Sequence, residues 1–161
     1  MNRTLLQLRS ILFRSGEKRA AWLRKKGIFG SIGNDVMIQD FRLPFAPENV
    51  YIGSNVRFAT DVTLITHDVA HHVLNNMYHT NEFREKKGKI IIGDNVFIGA
   101  KSIILYNVKI GNNVIVGGGS VVTRDLPANS VCAGIPCRKI GEFEDFVQKR
   151  LKESKLSEES M

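Results

Sequence analysis

Cysteine is scarce in this chain, long apolar runs are missing, and acids are almost absent from its first 26 residues. Its two cysteines, Cys132 and Cys137, are too few and too close to build a disulfide framework, so both are expected as reduced thiols packed in the fold. No apolar stretch approaches the roughly 20 residues that a membrane-spanning helix needs. The opening Met1-Asn2-Arg3-Thr4-Leu5-Leu6 lacks the apolar core and small-residue cleavage site of a secretory leader, and the cytoplasm is the expected location. With 161 residues and 43% hydrophobic content, the composition is that of one globular domain.

The formal charge is +7, and its placement is uneven. Arg3, Arg9, Arg14, Lys18, Arg19, Arg24, Lys25 and Lys26 face Glu17 alone, so eight cations and one acid account for the whole excess. Thr4-Leu5-Leu6-Gln7 resembles a capping box, Gly16 a helix stop, and Leu5, Leu8 and Leu12 share one face. A second short helix fits Glu17 to Lys26, with Gly27 after it. Residues 1–27 thus read as a basic amphipathic helical cap. It either plugs an open end of the fold or touches an anionic membrane surface. The basic residues come without a nucleic-acid motif, and no nucleic acid partner is expected.

What the chain does have is a six-residue period of branched apolar residues: Ile92, Ile98, Ile104, Ile110, Val116, Val122. Strings such as Ile92-Gly93-Asp94-Asn95-Val96-Phe97 and Ile110-Gly111-Asn112-Asn113-Val114-Ile115 repeat it. Six matches neither the helix period nor strand alternation. It suits a coil with three flat faces, and hexapeptide repeats are a parallel β-helix signature. Gly, Asn and Asp serve at the corners because they tolerate unusual backbone angles. Upstream, Ile32, Ile38, Pro44 and Val50 keep the period before Ile52, Phe58 and Leu64 take over two residues later. An irregular turn is expected there, since Pro44 and Pro47 interrupt strand pairing.

Between Leu64 and Ile92 the repeat disappears, so one large loop, 67–89, is expected to be inserted in the stack. Long loops on rigid scaffolds usually carry function. All four histidines, His67, His71, His72 and His79, fall in this segment. His67 directly follows the strand Val62-Thr63-Leu64-Ile65-Thr66 and is the best-held of them. At the other end, Phe143, Phe146, Val147 and Leu151 recur at helical spacing with acids before bases, which predicts a terminal helix folded back on the coil over 141–161, frayed after Leu156.

The run Ile52-Gly53-Ser54-Asn55-Val56, then Val62-Thr63-Leu64-Ile65-Thr66-His67-Asp68-Val69-Ala70-His71-His72, closely resembles the hexapeptide-repeat O-acetyltransferases of the maltose and galactoside type. So do Gly117-Gly118-Gly119-Ser120-Val121-Val122-Thr123-Arg124-Asp125-Leu126-Pro127 and the ending Ala133-Gly134-Ile135-Pro136-Cys137-Arg138. The resemblance covers about residues 30–140. It implies an all-β solenoid, a left-handed parallel β-helix over 28–140, assembled as a homotrimer with active sites between subunits. It further implies acetyl-CoA as co-substrate, no metal, and His67 as general base. The base would take the proton of an acceptor hydroxyl as the oxygen attacks the thioester directly, a task that suits an imidazole of ordinary pKa about 6.5. By the same resemblance the coenzyme follows Ala100, Gly117, Gly118, Thr123, Arg124 and Arg138, where small residues admit the pantetheine arm and Arg offers forked donors to phosphate. Gly117 to Gly119 also read simply as a tight corner.

The chain departs from that family in its short basic helices, where the galactoside type carries a longer helical segment with an acidic acceptor-binding residue. Gln39 and Asp40 lie roughly where a polar acceptor contact is expected, and Met77, Tyr78 and Phe83 are candidates for the rest of the pocket. A sugar hydroxyl in surface-polysaccharide assembly is the expected acceptor, with an amino sugar or a xenobiotic as the alternative. The rival γ-class carbonic anhydrase site needs a histidine one or two coils before a close pair, and none precedes His67. A non-catalytic scaffold would need only the repeat.

Overall fold

A computed structural model describes residues 6, 8, 9, 12–39 and 42–159. Short parallel strands wind around a three-sided coil. The first side is formed by β1 (Ser31–Ile32), β3 (Val50–Ile52), β8 (Ile90–Ile92) and β11 (Val108–Ile110). The second holds β2 (Met37–Ile38), β4 (Val56–Phe58), β9 (Val96–Ile98), β12 (Val114–Val116), β14 (Ser130–Ala133) and β15 (Arg138–Glu142). The third is shorter, with β5 (Thr63–Ile65), β10 (Ile103–Leu105) and β13 (Val121–Val122).

The register turns the six-residue period into columns of core side chains. Ile52, Ile92 and Ile110 stack on the first side. Ile38, Phe58, Ile98, Val116 and Cys132 stack on the second. Leu64, Ile104 and Val122 stack on the third. All of these are buried. A second inward set two residues earlier, Val50, Val56, Val62 and their equivalents, fills the space between columns. Burying each such aliphatic side chain contributes roughly 1.5–3 kcal/mol relative to leaving it exposed.

Asparagine holds one corner. Asn55, Asn95, Asn113 and Asn129 have φ of 54°, 57°, 55° and 55° in the left-handed region, which Asn tolerates better than other side-chain-bearing residues. Their amides form a ladder along the axis, Asn55 Nδ2 to Asn95 Oδ1 at 2.9 Å, Asn95 to Asn113 at 2.9 Å and Asn113 to Asn129 at 2.7 Å.

At the N-terminal end α1 (Gly16–Lys25) lies against β1 and β2 and buries Gly16, Arg19, Ala20 and Leu23. This helix covers the N-terminal end of the coil. Arg19, only 6% exposed, donates to the carbonyls of Ile38, Gln39 and Phe13 at 2.6, 2.7 and 2.6 Å. Gly16 corrects the expectation of a helix stop: it opens α1, with Ser15 as N-cap. Its glycine serves close approach instead, since a Cβ there would meet Met37 Cγ at 2.7 Å and Ile38 O at 2.9 Å. Thr4, Leu5 and Gln7 of the capping box lie outside the described residues; Leu6 is buried, while Leu8 and Leu12 are 58% and 80% exposed.

The third side of the first coil has no strand. Leu43 and Pro44 are buried there, and a 3-10 turn, Pro47–Asn49, absorbs the two-residue shift before β3. At the other end, β14 and β15 pair antiparallel, and α3 (Phe143–Glu159) packs on both. That helix runs on to Glu159, which corrects the fraying expected after Leu156. Cys132 and Cys137 are free and buried, and burial pushes the Cys137 thiol up from its ordinary 9.0.

Candidate functional site

Forty residues separate the paired Ile52 and Ile92, against eighteen between Ile92 and Ile110, so one turn carries about 22 extra residues. These extra residues leave the coil after Thr66 and rejoin it at Gly88. Thr66 is buried and pins both sides of the exit: its Oγ1 accepts from Ala46 N at 3.1 Å and its carbonyl accepts from Gly88 N at 3.0 Å. Within the insertion, β6 (His67–Asp68) pairs antiparallel with β7 (Lys86–Lys87), and α2 (Ala70–Tyr78) lies between them. The helix was not expected from the sequence, which read this stretch only as loop. Its apolar residues Val73, Leu74, Met77 and Tyr78 are 36–68% exposed, so no apolar stripe packs on the coil. Asn75 closes the arm by exchanging hydrogen bonds with the main chain of Phe83 at 3.0 and 3.1 Å.

His67 sits at the neck of this insertion, half-buried. Its ring lies 4.3 Å from that of Phe45, which comes from the strandless side of the first coil. Lys87 faces His67 across the ladder, and its Nζ is 2.8 Å from Glu85 and 5.9 Å from the Phe45 ring. The Nδ1 atoms of His67 and His71 are both enclosed and find no hydrogen-bond partner among the described residues. His71 stacks on His72 with centroids 4.1 Å apart. On the other face of the ladder, Asp68 accepts from the Tyr106 hydroxyl and from Ala70 N at 3.1 Å. Those two hydrogen bonds, Tyr106 first, hold the Asp68 carboxyl below its ordinary 3.8, while the same contact raises the Tyr106 phenol. Asp68 thereby ties the arm to the third coil.

The register places the other candidates on the two edges of the third side. Ile65 pairs with Leu105, and Leu64, Ile104 and Val122 align, so Thr66, Tyr106 and Arg124 fall at one corner of successive coils, beside His67. Thr123 and Arg124 are exposed at this edge. Across the sheet, Phe58, Ile98, Val116 and Cys132 align, which puts Ala100, Gly118 and Gly134 at the opposite corner. That corner is kept flat. Gly119 N donates to Ala100 O at 2.8 Å, a Cβ on Gly118 would come 3.2 Å from Ala100 O, and one on Gly117 would come 3.0 Å from Ala133 Cβ. Gly119, at φ 69°, needs the turn that glycine allows, which is the tight corner expected at Gly117 to Gly119. Between the corners, Ile65, Ile103, Leu105 and Val121 give the sheet a half-buried apolar outer surface. Arg138 lies at the C-terminal end of this track, where Cys137 N bonds Val121 O, and its guanidinium donates to Cys137 O at 2.7 Å.

The acceptor candidates are more scattered. Gln39 is exposed at the glycine–alanine edge, one level from Thr60, whose hydroxyl donates to its amide oxygen at 3.3 Å. Asp40 lies outside the described residues. Met77, Tyr78 and Phe83 are 67%, 61% and 38% exposed on the arm, with the Tyr78 and Phe83 rings 5.9 Å apart. One chain does not bring them against Gln39. Sequence reasoning missed Phe45, Asp68, Glu85, Lys87 and Tyr106 as the surroundings of His67. Tyr106 was within reach of it: it lies forty residues after Thr66, the same offset that relates Leu64 to Ile104. Among the described residues, no three of His, Cys, Asp and Glu gather as a metal-binding set.

The family model for the bacterial transferase hexapeptide, six repeats, matches residues 89–124. Galactoside O-acetyltransferase of Escherichia coli K12 is 38% identical over 132 residues, which is 78% of this chain and 62% of that enzyme. The Bacillus subtilis protein YvoF, named there as a candidate acetyltransferase, is 32% identical over 83% of this chain and 72% of its own length. Among solved structures, a maltose O-acetyltransferase from Clostridium difficile 630 superposes with a TM-score of 0.68 at 27% identity, covering 87% of this chain and 83% of that one. A galactoside acetyltransferase in complex with coenzyme A superposes with a TM-score of 0.61 at 25% identity, covering 91% and 81%. These neighbours imply a left-handed winding of the coil. With the hexapeptide columns, the interrupted turn and these relatives agreeing over most of its length, the chain belongs to the bacterial hexapeptide-repeat acetyltransferase family.

Proposed function

We propose that this protein transfers acetyl from acetyl-CoA to a hydroxyl of a saccharide, with His67 as the general base. The observation that carries the reading is the placement of His67 at one edge of the third side, packed on Phe45, with a close-packed corner of small residues at Ala100 and Gly118 along the other. The flat corner and the apolar sheet between the edges fit a pantetheine arm, and Arg124 and Arg138 carry the forked donors for its phosphates. Gln39, Asp40, Met77, Tyr78 and Phe83 are the proposed acceptor contacts.

When bound, acetyl-CoA supplies the thioester. His67 accepts the proton of the acceptor hydroxyl while that oxygen forms the new bond to the acetyl carbon. Collapse of the tetrahedral adduct expels the coenzyme sulfur, to which the His67 imidazolium returns the proton. Backbone N–H groups lining the track stabilise the oxyanion, and holding both substrates in one cleft supplies the proximity. The exposed apolar residues of α2 favour a homotrimer in which each arm completes a neighbour's cleft, a state that sedimentation equilibrium reads as three chain masses. The exposed Lys18 and Lys25 on the outer face of α1, with Arg14 just before it, favour peripheral contact with the inner membrane face, where lipid-linked saccharides would be met.

An acceptor screen with acetyl-CoA, following thiol release over sugars, amino sugars and xenobiotics, tests the reading. His67→Ala is expected to lower kcat by about 10²–10⁴-fold with little change in KM for acetyl-CoA. Full activity in that variant overturns the assignment of the base.

A further inference from the structure

The proposed reaction requires His67 to become a cation beside a lysine. Lys87 is directly opposite His67 in the β6–β7 ladder. Cβ atoms of such pairs stand about 4.5–5.5 Å apart, and like charges there repel. Left alone, Lys87 would oppose the imidazolium that forms as the acceptor proton is taken.

Glu85 answers that charge. It lies just before β7, two residues from Lys87, and its carboxyl meets the Lys87 ammonium on the face of the ladder that His67 uses. Its Oε2 lies 2.8 Å from Lys87 Nζ. We infer that Glu85 is a positioning residue for the base, forming with Lys87 a charge-balanced pair that seats the His67 ring against Phe45 and lets it accept a proton. The inference rests on His67 being the base.

The groups around His67 are few enough to name. From β7 comes Lys87, with Glu85 just before the strand and Lys86 on the far face opposite Asp68. From α2 comes His71, stacked on His72. Asp68 is engaged by Tyr106 and Ala70, and the fourth wall is the Phe45 ring. Of the two acids, only Glu85 shares the His67 face. Its carboxyl is held below the ordinary 4.5 by Lys87 first, with His67 and His71 adding to the effect.

The test uses Glu85→Gln, Lys87→Met and the double variant in the full-length protein. In Glu85→Gln the acidic limb of the kcat/KM profile is expected to move to lower pH by about one unit, with kcat down about tenfold and KM for acetyl-CoA unchanged. Lys87→Met moves the limb the other way, and the double variant returns it close to wild type. A purely structural role for Glu85 predicts loss at every pH and no rescue by Lys87→Met, and that outcome overturns the inference. NMR titration of labelled histidine rings, with His67 assigned through His67→Asn, reads the coupling without any turnover. A His67 midpoint that stays fixed in both single variants also overturns it. If no acceptor is ever acetylated while the midpoint moves as stated, the charge pair stands and the proposed reaction falls.

Discussion

Replacing Asn95 at the ladder corner separates backbone strain from side-chain bonding. Asn95 has φ 57° and sits mid-ladder, accepting from Asn55 and donating to Asn113, both at 2.9 Å. Alanine loses both bonds, about 0.5 kcal/mol each at this exposed corner. It also bears most of the roughly 1–2 kcal/mol that a left-handed conformation costs a residue with a plain Cβ. Asn95→Ala is therefore expected to destabilise by about 2 kcal/mol, or a fall in Tm of about 4–8 °C for a chain this size. Asn95→Gly loses the same bonds but sits in the left-handed region without strain, offset by about 0.5–1 kcal/mol of extra unfolded-state freedom. The order is thus wild type, then glycine, then alanine. At an ordinary position alanine would be the more stable of the two. Denaturant and thermal unfolding at one fixed protomer concentration measure the ranking, since assembly makes stability concentration-dependent. A further check is Asn95→Ala with Asn113→Ala: the two share a bond, so the double change should cost about 0.5 kcal/mol less than the sum. Alanine equal to or above glycine would refute the strained-corner account.

Tyr106→Phe removes the main donor to Asp68. A carboxyl held below its ordinary 3.8 contributes fully above about that pH and loses its contribution as pH falls through the lowered folded value. The variant should therefore be less stable than wild type at neutral pH and lose less on acidification below about 3.8, so coincident acid-unfolding curves would remove the clamp role of Tyr106. Wild-type protein should co-sediment with vesicles containing anionic phospholipid at low salt and release at high salt, and Lys18→Glu with Lys25→Glu should abolish this. No binding to such vesicles at low salt would discard the membrane contact.

The coil was legible because its cause is local and repeated. Each hexapeptide sets two inward side chains and one corner, so Ile92 to Val122 announce three sides, and the gap from His67 to Lys89 announces the insertion. Gly16 misled because glycine has two uses. The sequence shows a residue free to turn; only the packing shows that it lies against Met37 and Ile38. The insertion helix did carry a signal, Val73, Leu74, Met77 and Tyr78 at helical spacing, but that stripe is exposed and not set against the coil, so the loss of the six-residue repeat masked it.

The surroundings of His67 were illegible for a related reason. Phe45 comes to His67 from one stretch of chain and Glu85 with Lys87 from another, while Tyr106, from a third, reaches the adjoining Asp68; which residue faces which depends on register, not on spacing along any one of them. The sequence by itself determined the period, the number of sides, the place of the break and the histidine at its edge, because these follow from nearest-neighbour stacking. Tertiary structure decided what surrounds that histidine: an aromatic wall, a lysine directly across and an acid that balances it. A one-residue change of register in β6 and β7 would have turned the opposite faces together, and the sequence carries no period there to forbid it.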